Sequence, residues 1–128
     1  MEFKPVQPIT QASTQEMNAL IIDAIRDIKA KDIVQLDLRK LDERPADFFI
    51  ICSGESSTQI HAIANNIYKR LKDELQLLPD HYEGRQSVLW VLVDYFSTVV
   101  HIFYPETRVF YDIEELWNDA ERTGFNED

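Results

Sequence analysis

Apolar residues recur every three or four positions at Met17, Leu20, Ile21, Ala24, Ile25 and Ile28. That spacing puts one greasy stripe of an α-helix against a core. Ser13 precedes the stripe and Glu16 follows three residues later, a capping box in which each side chain satisfies the other's backbone N–H. Lys29 and Lys31 are expected in the last turn, where they suit the helix dipole. The period then changes. Residues 33–38 alternate, with Ile33, Leu36 and Leu38 apolar, which predicts a strand. A polar turn over 42–45 leads into Phe48, Phe49, Ile50, Ile51 and Cys52. This unbroken apolar run is too short for a helix and suits a strand buried on both faces. Ser56 with Gln59 forms a second capping box, and Ile60, Ile63, Ala64, Ile67, Leu71 and Leu75 mark a helix over 57–74. Residues 77–85 read as connection, interrupted by Pro79, with room for a short strand near Tyr82. Residues 89–94 and 98–104, rich in Val, Trp, Ile and Phe, predict two strands in a tight antiparallel hairpin. A third capping box, Asp112 with Glu115, opens a final helix whose stripe is Ile113, Leu116, Trp117 and Ala120.

Helices that need covering and strands that need neighbours predict one α+β (mixed α/β) domain, a small mixed β-sheet with flanking helices. Residues 1–12 contain Pro5 and Pro8, show no periodicity and read as a flexible lead-in. The chain is expected to fray from Thr123, leaving 13–123 as a single domain and 124–128 as a loose C-terminus. There is no internal repeat.

Composition narrows the class. The chain has 128 residues, 45% apolar and 28% charged, with 3 Gly and 5 Pro, which excludes collagen-like, low-complexity and mostly disordered readings. A lone Cys52 and three histidines predict neither an internal disulfide nor a structural metal, and no cofactor is expected. No apolar run approaches the roughly 20 residues that span a bilayer, and the start, MEFKPVQPIT, lacks signal- or transit-peptide features. The expected compartment is the reducing cytoplasm, away from membranes. Thirteen Lys and Arg against 23 Asp and Glu leave a formal charge of −10. From Pro105 onward there are 8 acidic and 2 basic residues. Such a chain is repelled by nucleic acid, whose affinity for proteins comes from neutralised phosphates. A basic protein surface would instead attract it, while the plainer reading of the excess is a solvated face that keeps the chain soluble.

Three features offer chemistry. Ser53, Gly54, Glu55 and Ser56 lie between a buried strand and a helix, where backbone N–H groups can meet a phosphate, as in nucleotidyltransferases. Two-metal phosphoryl transfer needs paired carboxylates, yet Asp37, Asp47 and Asp94 each stand alone. The turn therefore reads as a helix cap, and the chain is not expected to be an enzyme. His101 lies in an apolar strand, a few residues across the hairpin from Asp94, with no matched nucleophile; it reads as a structural histidine. Trp90 shares one strand face with Leu92 and Asp94, while Leu89, Val91 and Val93 share the other. Spacing leaves open whether Trp90 belongs to the core or to an uncovered, partner-binding face.

The segments KAKDIVQLDLR, ADFFIICSGESSTQIHAIANNI, EG, WVLVDY and VVHIFYPETRVFYDIEELW, in this order, resemble the ribosomal silencing factor family, the Iojap-related proteins. The resemblance runs from about Met17 to Trp117. It implies a nucleotidyltransferase-like fold without established activity. It also implies binding to the large ribosomal subunit through large-subunit ribosomal protein fourteen, with little direct RNA contact. Occupancy there would block joining of the small subunit and repress translation under nutrient limitation. Organelle relatives imply a large-subunit assembly role instead, and members are often homodimers. Trp90 matches the family tryptophan associated with the ribosomal-protein contact; Asp94, Tyr95 and Arg108 lie in matching motifs and are carried over with it. Two positions depart from the pattern: Thr58 stands where many members have Arg, and Phe96 and Ser97 replace a Gly-Asp turn.

Overall fold

A computed structural model describes residues 12–84 and 89–125. The lead-in up to residue 11, Arg85 of the expected connection and residues 126–128 lie outside the described residues. The elements are α1 (Thr14–Asp27), β1 (Lys31–Asp37), β2 (Phe48–Ser53), α2 (Ser57–Leu75), β3 (His81–Glu83), β4 (Trp90–Asp94), β5 (Thr98–Phe103), α3 (Pro105–Tyr111), α4 (Ile113–Leu116) and β6 (Glu121–Phe125). The strands form one sheet in the order β3-β4-β5-β2-β1-β6. Only β2 and β5 run parallel; the other neighbours are antiparallel. The expected mixed sheet with flanking helices is what forms.

Both central strands, β2 and β5, are buried along their whole length, as the unbroken apolar runs require. α1 and α2 pack side by side over one face. Ile21, Ile25, Ile60, Ile63, Ile67 and Leu71 are wholly buried there, against Ile50, Val91, Val93, Val100 and Ile102 of the sheet. Each such side chain contributes about 1.5–3 kcal/mol on burial. The Ser13 box closes in both directions: Ser13 N donates to Glu16 Oε1 at 2.8 Å and Glu16 N to Ser13 Oγ at 3.1 Å. α1 stops at Asp27, however, because Lys29 turns left-handed (φ 64°), and Lys31 already belongs to β1. Arg26, rather than either lysine, is the base in the last turn.

The second face is built differently from expectation. Pro105 opens an extra helix, α3, at a position where its missing N–H costs nothing. Asp112 stands at the N-cap of α4, but its side chain makes no capping hydrogen bond. It sits at φ 48°, ψ 48° and closes α3 by donating its N–H to Arg108 O, whereas a side-chain N-cap needs an extended backbone. α4 is accordingly only four residues long. Ile113, Trp117 and Ala120 pack on Val34, Leu36 and Phe49 of the sheet. The segment expected to fray instead forms β6, pairing with β1 from Asp37↔Glu121 to Ile33↔Phe125. The open edge of β1 supplies hydrogen bonds that no local pattern in ERTGF announces.

Candidate functional site

The C-terminal segment covers the β2-β1-β6 half of the second face and leaves the β4-β5 half more open. Hairpin register decides what lies there. Trp90 pairs with Phe103, Leu92 with His101 and Asp94 with Val99. Trp90 and Leu92 are half-buried, and the Trp90 ring lies 4.8 Å from those of both Phe103 and Tyr111. Tyr111 meets Phe110 edge-on at 5.0 Å, so three aromatic rings run continuously from β4 onto α3. Phe110 is 78% exposed and Tyr111 52%, with Val109 at 77% and Leu116 at 71% on the same short helices. No residue of α3 or α4 is buried. The contiguous Trp90, Tyr111 and Phe110 rings, two of them exposed, mark a surface suited to being covered. One carboxylate lies on the same face, Glu83 opposite Leu92, and Glu106 and Glu115 lie in the first turns of α3 and α4.

Of the four residues singled out in sequence, only Trp90 and Asp94 share this face. Asp94 is partly occupied as a turn former: its Oδ1 accepts the Phe96 N–H at 2.7 Å. Its Oδ2 lies 3.7 Å from His81 Nδ1, and Asp80 Oδ2 lies 3.1 Å from the same nitrogen. His101, read from the sequence as a structural histidine, does not pair with Asp94, because the register sets it opposite Leu92. Tyr95 is buried on the opposite side of the sheet, in the core beneath α1 and α2. That burial pushes its phenol pKa well above the usual range. Arg108 points inward. Its Nε and Nη2 donate to Glu114 Oε2, and its Nη1 donates to the Asp32 carbonyl and to Ser53 Oγ, both at 2.8 Å. It thus ties α3 and α4 to the ends of β1 and β2. Tyr111 and Phe110 are the members that sequence missed, and His101 reads there as structural, without its link to Trp90. The aromatics sit in a stretch with no helical stripe, and His101 joins only through register.

The glycine-serine turn is consumed by the fold. Ser56 Oγ accepts the Gln59 N–H at 3.0 Å, while Gln59 Oε1 accepts the Glu55 N–H at 2.7 Å. The second capping box is therefore shifted by one residue on its return bond. A Cβ on Gly54 would meet Ile60 Cγ1 at 2.9 Å. The carboxylates lie apart: Asp37 is gripped by Arg39 at 2.9 and 2.8 Å and held below the usual carboxylate range. It lines a groove against α1, on the other side of the sheet from Asp94. Asp47 is paired with Arg44. Burial pushes the Cys52 thiol up to about 12, which leaves it inert as a nucleophile. The described residues offer a surface rather than a catalytic constellation.

Comparison with known proteins places the chain in a family. Residues 11–128 match the family model described as "Ribosomal silencing factor during starvation". The Ribosomal silencing factor RsfS of Halalkalibacterium halodurans is 38% identical, over 84% of this chain and 91% of that protein. The mouse "Mitochondrial assembly of ribosomal large subunit protein 1" is 34% identical, over 77% of this chain and 43% of that protein. A crystal structure of a Chromobacterium violaceum protein superposes with a TM-score of 0.79 at 40% identity, covering 84% of this chain and 88% of that one. The chain belongs to the ribosomal silencing factor family.

Proposed function

We propose that this chain binds the large ribosomal subunit through large-subunit ribosomal protein fourteen and blocks joining of the small subunit, lowering translation when nutrients are limiting. The observation that carries the reading is the Trp90–Tyr111–Phe110 run on an incompletely covered half-sheet. Ribosomal proteins are basic and sit among phosphates. An acidic body with an apolar contact is steered to such a partner and kept off the surrounding RNA. Obstructing a joint between subunits requires bulk and occupancy, and no turnover. No described helix is long and apolar enough to cross a membrane.

Co-sedimentation with purified large subunits tests the contact. Trp90→Ala removes an aromatic anchor worth about 2–4 kcal/mol, so affinity falls roughly 30- to 1,000-fold. Unchanged co-sedimentation would remove Trp90 from the interface, and no co-sedimentation by the parent chain would overturn the reading. A second reading, a factor that shields an immature large subunit, is favoured by the name of the mouse relative. Depletion followed by subunit profiling separates the two: precursor particles accumulate if the role is assembly, and translation stays high in starvation if it is silencing. The family likeness also suggests a homodimer, which light scattering tests against the 15.0 kDa of one chain.

A further inference from the structure

His101 lies among aromatic rings. Phe49 meets it edge-on at 4.6 Å, Phe103 is stacked at 6.1 Å, and Trp90 lies at 6.0 Å. Trp90 Nε1–H donates to His101 Nδ1 at 3.3 Å, so the ring's own proton must sit on Nε2. Nε2 is buried and finds no hydrogen-bond partner among the described residues. An orphaned donor in an aromatic cluster costs stability, and a phenylalanine would fill the same space without that cost. What a phenylalanine would not supply is an acceptor for the indole N–H.

We propose that His101 is a positioning residue, whose neutral imidazole holds the Trp90 indole in the orientation that the aromatic face presents to its partner. The purpose rests on the binding reading above; the geometry does not. Ring-on-ring contacts with Phe103 and Tyr111 tolerate rotation, whereas a hydrogen bond is directional. Protonation of Nδ1 would set two donors against each other and release the indole. The groups facing His101 are Trp90 and Leu92 from β4, Phe49 and Ile51 from β2, and Phe103 on its own strand. The titratable and charged groups farther along that face are Glu83, Asp94, Tyr111, Arg108, Glu114 and Arg122. No charge lowers or raises the imidazole; desolvation alone takes its pKa down to about 4. The hold therefore persists at neutral pH.

The test uses the full chain carrying Trp117→Phe, which leaves Trp90 as its only tryptophan. His101→Phe keeps the packing and removes the acceptor; His101→Asn keeps an acceptor near the Nδ1 position and loses packing. Melting, acrylamide quenching of Trp90 and co-sedimentation with purified large subunits are read together. His101→Phe is expected to melt no lower than its parent, to quench more readily and to bind about three- to tenfold more weakly, the worth of one hydrogen bond. His101→Asn is expected to melt lower yet quench and bind closer to the parent. The parent's Trp90 emission should also change with a midpoint near pH 4, a transition missing from both variants. Binding that follows melting temperature, with His101→Phe above His101→Asn, overturns the proposal, as does unchanged quenching in His101→Phe or no transition near pH 4 in the parent. If the parent does not co-sediment, the binding reading fails by itself, and quenching and the pH transition still decide whether His101 holds the indole.

Discussion

Replacing Arg108 with alanine separates a clamp from a contact. The motif position implied that Arg108 touches the partner, whereas its side chain is only 10% exposed and engaged with Glu114. Truncation leaves Ser53 Oγ and the Asp32 carbonyl without this donor, at about 1 kcal/mol each. It also strands Glu114, whose side chain is 21% exposed, with Arg122 at 3.9 Å the one cation left beside it among the described residues. A charge-assisted pair of this kind is worth about 1.5–3 kcal/mol. The expected loss is about 3.5–5 kcal/mol, at about 4 °C of melting temperature per kcal/mol for a domain of this size. The damage should be local, because α3 and α4 have no buried residue of their own to hold them. Urea denaturation gives the total, and hydrogen exchange gives its location: protection should fall over 105–117 while α1 and α2 keep theirs. Arg108→Lys should recover less than half, since one ammonium cannot reproduce the guanidinium fork. A loss below about 0.5 kcal/mol with unchanged exchange over 105–117 would refute the clamp and return Arg108 to the partner surface.

Other expectations follow from single positions. Phe96 holds φ 79° at the hairpin tip, so Phe96→Gly should raise stability by about 1 kcal/mol in urea melts; a loss would show that the aromatic ring is worth more than its strain. Gly84 sits at φ 86°, where a Cβ would lie 2.4 Å from Trp90 O. Gly84→Ala should therefore cost more than about 2 kcal/mol and disturb Trp90 emission, which accounts physically for the Glu83-Gly84 motif. His101 has a folded pKa lowered to about 4 from 6.5, so the unfolded chain takes up its proton first as pH falls. Its contribution is full above pH 6.5 and declines as pH drops towards 4, by at most about 3 kcal/mol. His101→Phe should flatten that part of the stability-versus-pH curve, and an unchanged curve would assign the acid sensitivity to other groups.

Local periodicity determined most of the fold. α1, α2, β2 and the β4–β5 hairpin were legible because each is specified by its own stripe, run or cap, and burial merely completes what the spacing demands. The acidic balance and the facing of Trp90 with Leu92 were legible for the same reason. Tertiary structure decided the rest. β6 exists because β1 has a free edge, and its sequence carries no apolar alternation to announce it. The C-terminal helix divides because Asp112 adopts a left-handed backbone, which a capping pattern cannot foretell. Residues from separate segments meet only through register and packing: His101 reaches Trp90, and Arg108 turns in to Ser53 and Glu114. Tyr95, one residue from Asp94, falls on the opposite face because strand side chains alternate. A contact between distant segments is a property of how elements dock, and the spacing within either segment holds no record of it.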